Sequence, residues 1–177
     1  YGCNEDKVHI VEFGANIPTP LEYNIDIQTE VCNLLFIGKE WKRKGGNKIV
    51  DAYRHLKQNG FKCKLTIIGS NPELKLELDK DLEVIPHLDK SNEEDFNRLC
   101  GVIRGSHLFV VPTEFEPFGI VCCEASAYGV PSIAGNVGGV SQPVREGKNG
   151  YLLDANATAQ DYADKIKSVF SNKNSYL

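Results

Sequence analysis

The chain of 177 residues contains no methionine and begins with Tyr1. Because translation starts with methionine, we expect the chain to be a fragment of a longer gene product. No apolar run approaches the roughly 20 residues that a helix needs to cross a bilayer, and the start lacks the pattern of a signal peptide. We therefore expect a cytoplasmic domain, with a peripheral position of the full-length protein at the inner face of a membrane left open.

The chain also lacks an excess of positive charge and any pattern of metal ligands. The net charge of -4 and the pI near 5.6 disfavour a nucleic acid as partner. The six cysteines form no C-x-x-C pair and the four histidines are scattered, so we expect no metal cofactor. Cys32 and Cys63 lie in apolar strand patterns, which predicts buried, reduced thiols. The D-x-D of Asp79 and Asp81 falls in a charged segment rich in Lys, Glu and Leu, and we interpret it as surface rather than as a metal site.

Short apolar runs that alternate with helical patterns dominate the rest of the chain. With 41% apolar and 25% charged residues, the length suits one domain with a real core. Helices are predicted to about Asn59, after a capping box of Ser91 and Glu94, and after a cap of Thr158 with Asp161. The alternation predicts a Rossmann-like, three-layer α/β/α domain with a parallel sheet of about six strands. The predicted strands are 34–38, 62–69, 82–88, 107–112, 131–135 and 149–154.

The first residues form a separate segment in this interpretation. Residues 8–13 alternate well enough to predict a short strand, which Gly14 and the prolines after it end. We expect residues 1–31 to be an inter-domain connection at the end of an absent N-terminal domain. Residues 32–177 are expected to form the Rossmann-like domain. No dinucleotide fingerprint G-x-G-x-x-G occurs in the chain, which counts against a dehydrogenase in spite of the fold.

The most informative stretch runs from Val110 to Pro131, VVPTEFEPFGIVCCEASAYGVP. It is typical of a buried strand, a polar turn and a helix. The first N–H groups of a helix lack intrahelical partners and favour anions. Glu116 would lie in the turn, and Glu124 about one and a half turns into the helix. Their carboxylates would then bracket one ligand, with a phosphate at the helix start and hydroxyl groups on either side.

The pattern E-P-F-G-x-x-x-x-E followed by A-x-G-x-P resembles the retaining glycosyltransferases of family GT4, whose GT-B architecture has two facing Rossmann-like domains. The resemblance covers most of the chain and implies that it is the C-terminal half of such a fold, which binds a nucleotide sugar. It implies that Glu116 binds hydroxyls of the transferred sugar and Glu124 those of the ribose. Backbone N–H groups of Phe118, Gly119 and Ile120 would meet the sugar and the phosphates.

A dense basic segment, residues 39–48, follows the first predicted strand. It resembles the G-R-x(4)-K-G phosphate grip of the family, with Lys44 at the position of the family lysine. Long cationic side chains offset diphosphate charge that N–H groups alone offset poorly. Lys39 stands where the family has arginine, so that role falls to Lys39 or to Arg43.

The resemblance implies a retaining, metal-independent transferase of the hexosyltransferase type, with a UDP- or GDP-sugar as donor and with Glu116 and Lys44 as catalytic residues. The acceptor site would lie on the absent N-terminal domain, so that this fragment binds nucleotide without transferring sugar. Alternatives are a nucleotide-sugar 2-epimerase, a phosphorylase-like enzyme of the same fold, and a non-catalytic binding module.

Three further features are open to two interpretations. Gly138 and Gly139 either let a second loop approach the site or form a turn. His87 either touches the base or is an exposed loop residue, the interpretation we favour. His107 stands where the family commonly has Asp, and we interpret it as structural.

Overall fold

The computed structural model of the chain describes residues 2, 4–9, 11, 13–20, 29–70 and 79–172. Within these residues, six strands alternate with four α-helices after one turn of 3-10 helix at Glu5–Lys7. The elements are, in chain order, β1 (Cys32–Ile37), α1 (Gly46–Gln58), β2 (Cys63–Ile68), β3 (Leu82–Ile85), α2 (Glu93–Arg104), β4 (Leu108–Val111), α3 (Ile120–Ala127), β5 (Ser132–Gly135), β6 (Gly150–Leu153) and α4 (Ala159–Ser171).

The strands form a single parallel sheet in the order β3-β2-β1-β4-β5-β6. The central strands β1 and β4 are neighbours, with Leu34 opposite Leu108 and Leu35 opposite Phe109. All four of these side chains are buried, because helices cover both faces of a parallel sheet and its strands are continuously apolar. The predicted fold class is confirmed.

Two hydrophobic clusters lie on opposite faces of the sheet. Helices α1 and α4 cover one face and contact each other, and α2 and α3 cover the other. Cys32 and Cys63 face each other across β1 and β2 as buried free thiols, as predicted. Burial raises the pKa of both, that of Cys63 to about 12. Among the described residues, no helix has both the length and the apolar character to span a membrane.

The helix caps agree with the sequence in one case and differ in another. Thr158 and Asp161 form a complete capping box at the start of α4, as predicted. The predicted box of Ser91 and Glu94 is wrong, since α2 starts one residue later with Asn92 as its cap, whose side chain accepts from Asp95 N at 3.0 Å. Ser91 instead donates from its N–H and from its hydroxyl to Asp89 Oδ1, so its side chain does not cap the helix.

Two predicted strands differ from those observed. The strand predicted at 82–88, with a break at Pro86, ends at Ile85 and does not resume after the proline, because Pro86 has no N–H to continue the ladder. Residues 8, 9, 11 and 13 belong to no strand, and the other two residues of the predicted strand at 8–13 lie outside the described part of the chain. The described apolar side chains there, among them Phe13, are exposed because no neighbouring strand pairs with this segment. Ile17, a little further on, is buried in the cluster under α2 and α3.

Candidate functional site

The connections of β1 and β4 leave the sheet in opposite directions, which opens a crevice at the carboxyl ends of these two strands. One connection leads through α1 to β2, and the other leads through α3 to β5. In open α/β sheets this switch point is where ligands bind. Two loops line it, the β1–α1 loop (residues 38–45) and the β4–α3 loop (residues 112–119).

These two loops are bound to each other through their backbones. The carbonyl of Arg43 accepts from Glu114 N at 2.9 Å and from Thr113 Oγ1 at 3.2 Å. Gly45 has φ +74° and approaches Pro112 so closely that an added Cβ would lie 2.0 Å from its carbonyl oxygen. Only glycine tolerates both conditions. The basic loop is therefore fixed against the turn that carries the first glutamate.

Lys44 and Glu116 form an ion pair across the crevice, with Lys44 Nζ donating to Glu116 Oε2. Each side chain is only 12% exposed. The residues are 72 positions apart in the chain, and the neighbouring positions of β1 and β4 bring them together. The structure thus brings together Lys44 and Glu116, the two residues that the family resemblance implies as catalytic.

Arg43 and Lys39 are placed differently. The Arg43 guanidinium binds both carboxylate oxygens of Glu40, at 2.6 and 2.8 Å, and donates to the carbonyl of Phe115 at 2.6 Å. The hydrogen bond to Glu40 raises the pKa of Arg43 and lowers that of Glu40. Lys39 is exposed at the end of β1. Arg43 is therefore bound to protein groups, whereas Lys39 extends into solvent.

The second glutamate has a lysine partner that the sequence analysis missed. Glu124 lies in α3 and is 2% exposed, and its Oε1 accepts from Lys90 Nζ at 2.6 Å. Lys90 follows β3 and is 42% exposed. Its position next to Asp89, in the loop after a strand of the same sheet, was a signal that could have marked it.

The start of α3 lies between the two ion pairs in the chain. Gly119 is the N-cap, with φ +96°, and has no side chain to cap the helix. Its carbonyl accepts from Cys122 N at 2.8 Å. Phe118 packs edge-to-face on Phe13 with ring centroids 5.3 Å apart. Ile120 is 40% exposed. Phe118 and Gly119 thus lie in the loop between Glu116 and α3, and Ile120 is the first residue of α3. Their contact with a sugar or a phosphate stays a prediction.

A third loop supports the Glu116 turn. An added Cβ would lie 2.1 Å from the Glu116 carbonyl oxygen at Gly138 and 2.1 Å from the Pro117 carbonyl oxygen at Gly139. Gly139 N donates to Glu116 O at 3.0 Å. The two glycines form a turn and at the same time permit the close approach of this loop, so both interpretations of the pair hold.

The family model of glycosyl transferases group 1 matches residues 25–177. The chain belongs to this family. D-inositol 3-phosphate glycosyltransferases are among its relatives: that of Rhodococcus jostii (strain RHA1) is 37% identical over 187 residues, and that of Rhodococcus opacus (strain B4) 27% over 187 residues. Each alignment covers 97% of this chain but only 41% and 42% of the relative. The chain therefore spans about two-fifths of the length of these relatives.

Two solved structures share the fold of this group 1 chain. Sucrose-phosphate synthase from Thermosynechococcus elongatus superposes with a TM-score of 0.67 at 24% identity, over 82% of this chain and 37% of that one. Anabaena HepE in complex with UDP superposes with a TM-score of 0.64 at 19% identity, over 83% and 42% of the two chains. At these identities the likeness shows the fold alone.

The remaining polar candidates have structural partners or lie in an exposed loop. His107 is 3% exposed and its Nδ1 accepts from Asn33 N at 2.8 Å, which ties β4 to β1. His87 is an exposed loop residue, as favoured. Asp79 accepts from the Tyr53 hydroxyl at 2.7 Å, and Asp81 pairs with a lysine of α1 at 2.5 Å. Within the described residues, no group of three or more His, Cys, Asp and Glu side chains could hold a metal ion.

Proposed function

We propose that the crevice binds a nucleoside-diphosphate sugar, UDP- or GDP-linked, and that the full-length protein is a retaining, metal-independent glycosyltransferase of the hexosyltransferase type. The observation that carries the proposal is the presence of two lysine–glutamate ion pairs, Lys44–Glu116 and Lys90–Glu124, whose glutamates lie before and after the start of α3. Membership of glycosyl transferases group 1 supports a transferase activity. One structural neighbour was solved in complex with UDP, which agrees with a nucleotide donor.

The Lys44–Glu116 pair supplies the chemistry at the reacting end. A diphosphate carries more negative charge than one carboxylate, so the Lys44 ammonium would move from Glu116 to the phosphate oxygens. Glu116 would then accept hydrogen bonds from hydroxyls of the transferred sugar. When the sugar–phosphate bond breaks, negative charge grows on the leaving diphosphate. Lys44 and the N–H groups of Phe118, Gly119 and Ile120, at and just before the start of α3, would stabilise it. No metal ion is required in this scheme.

The Lys90–Glu124 pair serves the other end of the donor. Glu124 is buried, so its carboxylate would bind ribose hydroxyls with little competition from water. Each such charge-assisted hydrogen bond contributes about 1.5–3 kcal/mol. Lys39 is the exposed cation closest in sequence to the end of β1 and would add to the phosphate grip, whereas Arg43 would first have to leave Glu40.

The chain spans only part of its relatives, so the remaining parts of the mechanism belong to this proposal. The acceptor would bind on a separate N-terminal domain, residues 1–31 would connect to it, and residues 32–177 alone would bind nucleotide without transferring sugar. The full-length enzyme would act in the cytoplasm, with peripheral attachment to a membrane open.

Isothermal titration calorimetry with UDP, GDP and ADP tests the proposal. We expect one of the first two to bind, with affinity reduced about tenfold or more in Lys44→Met and in Glu124→Gln. Lys167→Met, an exposed lysine of α4, is the matched control and should bind as the parent does. Absence of heat with every nucleotide, or parental affinity in both site variants, would refute the proposal.

A further inference from the structure

A groove lies beside the crevice, on the outer side of the two loops that line it. It is open, has a volume of about 650 Å³, and is lined by Glu40, Trp41, Lys42, Arg43, Glu114 and Phe115. These residues come from the same two loops that carry Lys44 and Glu116.

Two aromatic rings line this groove. Trp41 is fixed: its ring covers Gly46 so closely that an added Cβ would lie 2.2 Å from ring atoms, and its Nε1 donates to Asn47 Oδ1 at 2.8 Å. It also packs edge-to-face on Phe36, with centroids 5.7 Å apart. Phe115 is 58% exposed. Apolar rings held in place at the surface are rigid contact area that loses little entropy on binding.

Hydrogen bonds also fix the backbone at Phe115. Its carbonyl accepts from Arg43 at 2.6 Å and from Thr113 Oγ1 at 3.0 Å. Arg43 is itself fixed by both oxygens of Glu40. The exposed ring therefore projects from an ordered loop, and its exposure is a property of the fold.

The charges around the rings balance. Two carboxylates, of Glu40 and Glu114, face two cations, of Lys42 and Arg43, so the groove offers no net attraction to an anion or to a cation. It offers aromatic faces together with many hydrogen-bond acceptors and donors. A neutral ring with an apolar C–H face and a rim of hydroxyls matches this set, which is the chemistry of a sugar or a cyclitol.

The groove lies next to the reacting end of the proposed donor site. Arg43 precedes Lys44 and Phe115 precedes Glu116 in the chain, so each loop contributes one residue to the ion pair and its neighbour to the groove. We propose that this groove is a subsite for a neutral sugar or cyclitol ring, and that it extends the acceptor site of the separate N-terminal domain onto this chain. The acceptor role of the bound ring rests on the proposed function, whereas the binding of the ring to this groove does not.

Trp41 is the only tryptophan of the chain, so its emission reports on the groove directly. The experiment titrates the 177-residue chain with methyl α-D-glucopyranoside, maltose and myo-inositol, and with sorbitol as an open-chain polyol of matched osmolality. We expect a saturable change of emission with at least one ring compound, with a midpoint in the roughly millimolar range. Sorbitol should give none.

Variants of Phe115 show whether the aromatic face is responsible. Phe115→Ala and Phe115→Leu should weaken binding by about fivefold or more, and Phe115→Tyr should retain it. Because Phe115 is largely exposed, these variants should unfold at the parental temperature. The control Lys167→Met, in α4, should bind the ring compound within about twofold of the parent.

Several outcomes would overturn the subsite: no saturable change with any ring compound, an equal change with sorbitol, or parental binding in Phe115→Ala and Phe115→Leu. Glucose 6-phosphate binding about tenfold tighter than the neutral glucoside would contradict the charge balance. Calorimetry with UDP separates the two proposals. Nucleotide binding without a sugar response refutes the groove alone, and a sugar response without nucleotide binding refutes the donor site alone.

Discussion

Removal of the Lys90 ammonium should destabilise the fold through the carboxylate that it leaves behind. Glu124 is 2% exposed and Lys90 is 42% exposed, so the two partners are not equivalent. In Lys90→Met the carboxylate stays in α3 without the ammonium at 2.6 Å. In Glu124→Gln the lysine keeps its access to water and the buried group loses its charge.

The magnitude follows from this asymmetry. Breaking a fully buried ion pair costs about 3–5 kcal/mol, and the exposure of Lys90 reduces that cost because water screens the charge. We therefore expect Lys90→Met to lower the free energy of unfolding by about 1–2 kcal/mol, and Glu124→Gln by less than about 1 kcal/mol. The double variant should be more stable than the sum of the two losses predicts, with a coupling free energy of about 1 kcal/mol.

Urea unfolding followed by circular dichroism measures these free energies, with Lys167→Met as the control that removes an exposed lysine from α4. The control should match the parent within about 0.5 kcal/mol. The reasoning would be refuted if Lys90→Met were as stable as the control, or if the losses of the two single variants simply added.

Two further predictions concern the scaffold. Gly45→Ala should cost about 1–3 kcal/mol more in unfolding free energy than Gly60→Ala: both glycines have positive φ, but an added Cβ meets Pro112 O at 2.0 Å only at Gly45 and finds nothing within 4 Å at Gly60. Equal losses would contradict the clash. The pKa of Asp79 is lowered in the folded protein, and the hydrogen bond from Tyr53 is the largest cause. This hydrogen bond therefore stabilises the fold above the unfolded pKa of about 4. The stabilisation is lost as the pH falls through the folded pKa. Tyr53→Phe should therefore lose more stability relative to the parent at about pH 7 than at about pH 2.5, and a pH-independent difference would argue against this linkage.

The two errors in the sequence analysis have different causes, one local and one tertiary. Asn92 and Ser91 are both good helix caps, and the choice between them depends on Asp89, whose side chain binds Ser91. Residues 8–13 have an alternating pattern, but a strand needs a neighbour for its ladder, and the described residues of this segment have none.

The site was partly visible in the sequence. The spacing of Glu116 and Glu124 sets their separation through the geometry of one turn and one helix, which is local. Lys90 is 34 positions from Glu124, so no helical or turn spacing relates the two residues.

The sequence by itself determined the alternation of strands and helices, the buried character of β1 and β4, and the two acids that precede α3 and follow its first turn, because hydrophobic period and turn chemistry act over a few residues. Only the tertiary structure decided which cation meets which acid and which rings share a groove. Those pairings depend on the strand order, which places β1 beside β4 although 70 residues separate their loops.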